Sequence, residues 1–132
     1  LFNNTNIANI GDAAGLLGSA AAGTFWFSLH TADPGETGTA VTSETAYTPY
    51  VRVSVARSGA GLTVTGNSVS PAANVDFAEC TAAAGGPITH FGVVNTSSGA
   101  GKLLYSGTVT PNITMAVGVI PRLKTTSSIS ED

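Results

Sequence analysis

Residues able to support catalysis are few in this sequence and lie far apart. A nucleophilic side chain needs a base within hydrogen-bond reach, and the chain offers one cysteine, Cys80, and two histidines, His30 and His90. No local motif connects Cys80 to either histidine. Cys80 follows an alternating run that begins at Val75, which is typical of a small buried thiol on a strand. We therefore expect that the protein is not an enzyme.

Two further patterns resemble ligand sites but lack essential parts. His30 and Asp33 are the nearest pair of a histidine and an acidic residue, but they stand alone at the end of a predicted strand. The run SSGAGK at 97–102 resembles a phosphate-binding loop, yet it lacks the GxxxxGK[ST] pattern and no helix follows it. We therefore expect a hairpin loop there, and neither a metal nor a cofactor in the protein.

Three aromatic side chains, Trp26, Tyr47 and Tyr50, have the chemistry to stack on a sugar or to anchor a partner. The alternative is that they belong to the core, because aromatic residues are enriched on half-buried strands. Tyr47 lies within a long turn-rich segment, 32–49, whose length is typical of a functional loop or of a loop that contains a short strand. The sequence leaves both interpretations open.

Half of the chain consists of small residues without charge. Ala, Gly, Thr and Ser contribute 19, 16, 18 and 13 residues, which is 66 of 132. Only 10% of residues are charged, and the five Lys and Arg cannot form the large basic patch that nucleic-acid binding needs. A single cysteine excludes a disulfide scaffold, and 42% hydrophobic residues exclude a solvated disordered chain. Because charge normally keeps a free monomer soluble, we expect neighbouring molecules to cover much of this surface.

Alternation of apolar and polar residues predicts two strands in the first half of the chain. Residues 24–31, TFWFSLHT, place Phe25, Phe27 and Leu29 on one face. Residues 50–57, YVRVSVAR, place valines at alternate positions, as in a strand buried on its valine face.

The rest of the sequence continues in short strands separated by turn residues. Gly66-Asn67 predicts a tight hairpin, and the further predicted strands cover 62–65, 68–70, 75–81, 88–95, 102–110, 113–117 and 120–129. Strand following strand without amphipathic helices is typical of an antiparallel sandwich or barrel. We predict an all-β fold, an antiparallel β-sandwich of about eight strands, jelly-roll-like in its connections.

The first 23 residues differ from the rest. Residues 1–11 are rich in Asn and predict an extended arm, and 12–22 predict a short helix with Asp12 as its N-cap. The most apolar window, 13–27, is shorter than the ~20 residues of a membrane helix, so we expect no membrane partner. The predicted organisation is an arm and short helix over 1–23, and a β-sandwich domain over 24–132.

Three segments together resemble a group of small virion proteins of tailed bacteriophages. They are LHTADPGETGT at 29–39, YVRVSV at 50–55 and ITHFGVVNTSSGAGKLLYSGTVT at 88–110. The likeness spans about residues 24–110. It implies a particle protein without enzymatic activity, and members are described either as capsid cement (decoration) proteins or as tail-fibre proteins. Cement proteins of this sort are jelly-roll-like sandwiches on the outside of the capsid.

The sequence and the resemblance lead to two functional hypotheses. The first is a capsid cement protein on the outer capsid surface of the virion, with the major capsid protein and further copies of itself, as a dimer or trimer, as partners. The alternative is a tail-fibre or tail-tip module that binds a host surface glycan through the 32–49 loop. The contact residues we expect are Leu1, Phe2, Asn3, Asn4, Trp26, His30, Asp33, Pro34, Tyr47 and Tyr50.

Overall fold

The computed structural model describes Phe2 and residues 23–82 and 85–130. Within these residues the protein is all-β, with nine strands, antiparallel pairing and no helix. The predicted all-β antiparallel class is therefore confirmed, while the jelly-roll-like arrangement stays a prediction. The predicted helix over 12–22, and the predicted arm apart from Phe2, lie outside the described residues.

The nine strands are short, apart from three. They are β1 (Thr24–His30), β2 (Val53–Ala56), β3 (Leu62–Thr65), β4 (Ser68–Pro71), β5 (Val75–Asp76), β6 (Ile88–Val94), β7 (Leu103–Ile113), β8 (Arg122–Leu123) and β9 (Ile129–Ser130).

The chain divides into two compact units, and the predicted division at residue 23 stays a prediction. One unit comprises Leu1–Thr24, Val55–Asn74 and Lys124–Asp132, and the other comprises Phe25–Ser54 and Val75–Leu123. Each unit is described by itself below.

The larger unit is built on a sheet with the strand order β2-β1-β6-β7. β1 is an inner strand of this sheet, paired along both edges, and the side chains on both of its faces are covered. Phe25, Phe27 and Leu29 are buried as predicted, and Ser28 and His30 on the opposite face are buried as well. The central strand therefore positions polar side chains inside the protein, where each needs a hydrogen-bond partner.

The outer strand of this sheet, β7, carries two features that limit pairing with a further strand. The pairing with β6 shifts register between Val93 and Val94, and such a bulge twists an edge. Near its other end the strand contains Pro111, which has no backbone N–H to donate. Both are known protections of an exposed sheet edge.

A two-stranded ladder, β5 with β8, extends from Val75 and Leu123 in the same unit. Backbone hydrogen bonds continue it beyond the strands, from Phe77 N to Pro121 O at 3.0 Å and from Cys80 N to Val119 O at 2.9 Å. Cys80 is fully buried, as predicted, although the predicted strand over 75–81 covers only two residues of regular pairing.

The smaller unit contains the sheet β3-β4-β9. The predicted hairpin at Gly66-Asn67 is confirmed, with Thr65 paired to Ser68. Gly66 has a φ of +60°, and a glycine at the first central position is what a type II′ turn requires. Leu62 and Val69 are buried in this unit.

Gly92 on β6 illustrates how tightly the sheet of the larger unit packs. It pairs with Ser28, and a Cβ atom there would lie 2.6 Å from Ser28 Oγ, 2.8 Å from His30 Nε2 and 2.8 Å from Leu103 Cδ1. We expect Gly92→Ala to lower the free energy of unfolding by about 1–3 kcal/mol, because neighbours in a packed core must shift.

Denaturant unfolding of the purified protein measures this effect. The matched control is Gly86→Ala, whose new Cβ atom would meet only Thr31 at 3.8 Å, an ordinary contact. Equal stability of the two variants would contradict the proposed packing at Gly92.

Candidate functional site

The most unusual feature of the larger unit is a buried ion pair. The Arg52 side chain is only 2% exposed and the Glu44 side chain 14% exposed. Arg52 Nε donates to Glu44 Oε1 at 2.7 Å, and Arg52 Nη2 donates to Glu44 Oε2 at 2.8 Å. This bidentate geometry is the strong form of an Arg–carboxylate contact. Removal of one partner from such a buried pair costs about 3–5 kcal/mol in other proteins.

The same guanidinium also holds the loop between β6 and β7. Arg52 Nη1 donates to the carbonyl oxygen and to Oγ1 of Thr96, both at 3.1 Å, and Nη2 donates to Gly99 O at 2.9 Å. All five N–H groups of the guanidinium therefore have an acceptor. As a result, one side chain connects the segment that contains Glu44 with the loop over 95–101.

Backbone contacts reinforce the connection between these two segments. Ala40 N donates to Gly101 O at 2.9 Å, and Thr39 bridges to Lys102. Gly101 is required for space, because a Cβ atom there would lie 2.2 Å from Thr96 Oγ1. The long 32–49 segment thus contains isolated bridges and turns in place of a further strand.

Tyr50 completes the surroundings of the carboxylate. Its hydroxyl donates to Glu44 Oε1 at 2.9 Å and accepts from Leu29 N at 3.1 Å. Burial, and after it the neighbouring Glu44, raises the pKa of Tyr50 far above the usual value. Hydrogen bonding to Glu44 raises the pKa of Arg52 further. Both groups keep their protons, and the network keeps a single arrangement of donors and acceptors.

The strand prediction over 50–57 is wrong at its first residues. Val53 and Val55 are half-buried and Ser54 is exposed, as the alternation predicts, but regular pairing is confined to β2. Val51 is 62% exposed and Arg52 is buried, the reverse of the predicted pattern. The physical reason is that Arg52 finds acceptors for every N–H inside the protein.

His30, a predicted contact residue, is fully buried and bonded within the chain. Its Nδ1 lies 2.8 Å from Thr42 O and its Nε2 lies 2.8 Å from Ser28 Oγ. A carbonyl oxygen only accepts, so Nδ1 carries the proton and Nε2 accepts from the Ser28 hydroxyl. Burial is the main cause of a pKa of His30 below its usual value.

The Ser28–His30 hydrogen bond has the spacing of a nucleophile and a base, but it does not form an accessible site. Both residues have 0% exposure, so a substrate cannot reach the Ser28 hydroxyl. His90 Nδ1 lies 2.9 Å from Thr89 Oγ1, and the Cys80 thiol lies 3.7 Å from Ala82 O. In the described ranges, no group of three or more His, Cys, Asp or Glu could hold a metal ion. Nor do these ranges contain an apolar helix long enough to cross a membrane.

The structure separates the remaining predicted contact residues into exposed and buried ones. Asp33 is exposed and its Oδ1 accepts from Gly35 N at 2.9 Å, which confirms the predicted turn, and Trp26 is half-buried. The side chains within the interior are those of Phe2, Pro34 and Tyr47. Leu1, Asn3 and Asn4 lie outside the described residues.

Tyr47 serves as an internal support. Its hydroxyl donates to Ala78 O at 2.9 Å, and burial raises its pKa to about 12. The Tyr47 ring meets the Tyr50 ring edge-on at 5.4 Å, and Tyr50 stacks on Phe77 at 6.2 Å. The three rings favour the core interpretation of Tyr47, while Tyr50 also reaches the surface at the ion pair.

A shallow depression of about 210 Å³ opens beside the ion pair. Its lining residues are Glu44, Tyr50, Val51, Arg52, Ser97, Ser98 and Gly99. Sequence reasoning missed this site apart from Tyr50, because no sequence pattern connects Glu44 with Arg52. The SSGAGK run did mark one wall, although its resemblance to a phosphate loop pointed to different chemistry.

Comparison with protein-family models gives a match that covers most of the chain. The family model described as podophage GP4 fiber I protein gp80 matches residues 12–129. The chain belongs to this gp80 family. Comparison with curated proteins gave no match.

Membership of the gp80 family identifies the chain as a structural protein of a bacteriophage virion. It confirms the resemblance to tailed-phage virion proteins that the sequence segments carry. The match extends beyond those segments on both sides, because it begins at residue 12 and ends at residue 129.

The buried neutral imidazole makes the stability of this gp80-family protein depend on pH. The folded-state pKa of His30 is below the unfolded value of about 6.5, so the unfolded chain takes up a proton first. We expect the free energy of unfolding to fall as pH drops below about 6.5 and to be independent of His30 above it. His30→Gln should remove this component, and His90→Gln should retain it.

Denaturant unfolding between about pH 7.5 and 5 measures this dependence. The Asp76 carboxyl, whose pKa is lowered by its hydrogen bonds with Arg122, titrates below this range. If His30→Gln does not fold, NMR titration of the histidine rings in the unmodified protein gives the same answer. A His30 ring that protonates at or above the usual pKa would contradict the burial of a neutral ring at this position.

Proposed function

We propose that the chain is a structural module of a phage fibre and has no enzymatic activity. The observation that carries this proposal is the match over residues 12–129 to a family described as a fibre protein. A module of this kind acts by holding a surface in a fixed shape. The buried Arg52–Glu44 pair supports this role, because it fixes two surface segments to each other.

A specific observation also favours a second candidate, the capsid cement protein. Several large apolar side chains are exposed in a chain with little charge, notably Val117 at 71%, Val51 at 62% and Ile120 at 51%. Such a surface associates by apolar burial, which suits attachment to the major capsid protein or to further copies of this chain. The cement role requires an outer capsid location, whereas the fibre role does not.

The location and the number of copies in the virion distinguish the two candidates. We expect quantitative mass spectrometry of purified particles to find far fewer copies of this chain than of the major capsid protein. Cryo-electron microscopy of the same particles should place its density in a fibre.

Copy numbers close to those of the major capsid protein, with density over the outer capsid surface, would overturn the fibre proposal in favour of the cement role. A particle that lacks the chain would overturn both. Purified tail and capsid fractions from disrupted particles serve as the matched controls, because each should contain the chain under only one of the two proposals.

A further inference from the structure

Glu44 lines the depression beside the ion pair, and its carboxylate retains bonding capacity. Glu44 Oε1 accepts from the Tyr50 hydroxyl and from Arg52 Nε, at 2.9 and 2.7 Å. Glu44 Oε2 accepts from Arg52 Nη2 at 2.8 Å. A carboxylate offers about four acceptor positions, so Oε2 can accept one more hydrogen bond. The partners on the other three positions hold this oxygen in place.

The lining of the depression carries no net charge. Glu44 and Arg52 compensate each other at hydrogen-bond distance, and the other lining residues are uncharged. A charged ligand would therefore lose its hydration without finding an opposite charge that is still unpaired, and this loss is unfavourable. A ligand without charge has no such cost.

The rim combines polar and apolar groups. Ser97 and Ser98 are exposed, and their hydroxyls can both donate and accept. Val51 contributes an apolar side chain that is 62% exposed. This combination matches a ligand that carries hydroxyl groups on one side and C–H groups on the other.

We propose that the depression binds one ring of a neutral carbohydrate. A ring hydroxyl donates to Glu44 Oε2, further hydroxyls bond to Ser97 and Ser98, and the C–H face of the ring lies on Val51. The volume of about 210 Å³ is below the ~300–1,000 Å³ of pockets for drug-sized ligands, which limits the site to a single ring. The inference adds a ligand to the proposed fibre module and rests on that function only for its biological setting.

A shallow site for a single ring binds weakly, and we expect a dissociation constant of about 1 mM. Repeated copies in one particle would raise the effective affinity without a new contact. Saturation-transfer NMR detects binding in this range. The probes are the methyl glycosides of glucose, galactose, rhamnose and N-acetylglucosamine, with glucuronic acid and glucosamine as charged counterparts.

We expect at least one neutral glycoside to receive saturation from the protein, and more strongly than the charged sugars. Ser97→Ile with Ser98→Ile removes both rim hydroxyls and fills the rim, and should weaken binding at least about tenfold. The matched control is Thr108→Ile with Thr110→Ile, two exposed hydroxyl residues on β7 outside the depression, which should bind as the unmodified protein does.

Chemical-shift mapping on the unmodified protein keeps the test independent of the variants. Addition of the bound glycoside should shift the Val51 methyl signals and the Ser97 and Ser98 amide signals. The proposal is overturned by no transfer to any neutral glycoside, by equal transfer in the Ser97/Ser98 variant, or by shifts confined to other residues. Each of these outcomes leaves the location of the chain in the virion, and hence the fibre proposal, unaffected.

Discussion

The fold of the larger unit depends on how one buried cation is accommodated. Arg52 is 95% removed from solvent and cannot lose its proton in a protein. An unpaired guanidinium at this position would carry a large desolvation cost. The chain meets that constraint by turning the carboxylate of Glu44 and the carbonyl oxygens of Thr96 and Gly99 toward it. The path of two loops follows from these contacts.

Other features around Arg52 follow from the same requirement. Besides the guanidinium, the Tyr50 hydroxyl donates to the Glu44 carboxylate. The same hydroxyl accepts a hydrogen bond from the backbone N–H of Leu29 in β1. Close by, His30 remains neutral, because burial and the charge of Arg52 both oppose its protonation, while Glu44 favours it. By contrast, a second bidentate Arg–carboxylate pair among the described residues, Arg122 with Asp76, is about half-exposed, and exposed pairs contribute little to stability.

Local patterns in the sequence predicted the parts of the fold that local physics controls. Alternation located β1, the turn residues that bound the 88–95 run located β6, and the glycine at position 66 located the β3–β4 hairpin. Alternation failed at Val51 and Arg52, because it assigns a buried face by residue type and does not register a long-range acceptor. The spacing of Glu44 and Arg52 does not predict that they pair. The chain turns between the two residues, and Arg52 also needs acceptors from a loop more than 40 residues away.

The functional conclusions rest on different grounds. The segments that resemble tailed-phage virion proteins predicted a phage virion protein, which the match to the gp80 family confirms. The candidate site could not be predicted, because its walls come from separate parts of the chain. A structural module and a carbohydrate site both require that the 39–44 and 95–101 segments keep one relative position.

Hydrogen exchange of the backbone amides tests this claim most directly. Arg52→Lys keeps the charge but loses the planar fork that contacts both loops, and Arg122→Lys is the matched control on the exposed pair. The account predicts faster exchange at Ala40 N and at Lys102 N together in Arg52→Lys, with Val93 in β6 unchanged and no effect in the control. Exchange at both loop amides that remains as slow as in the unmodified protein would contradict it.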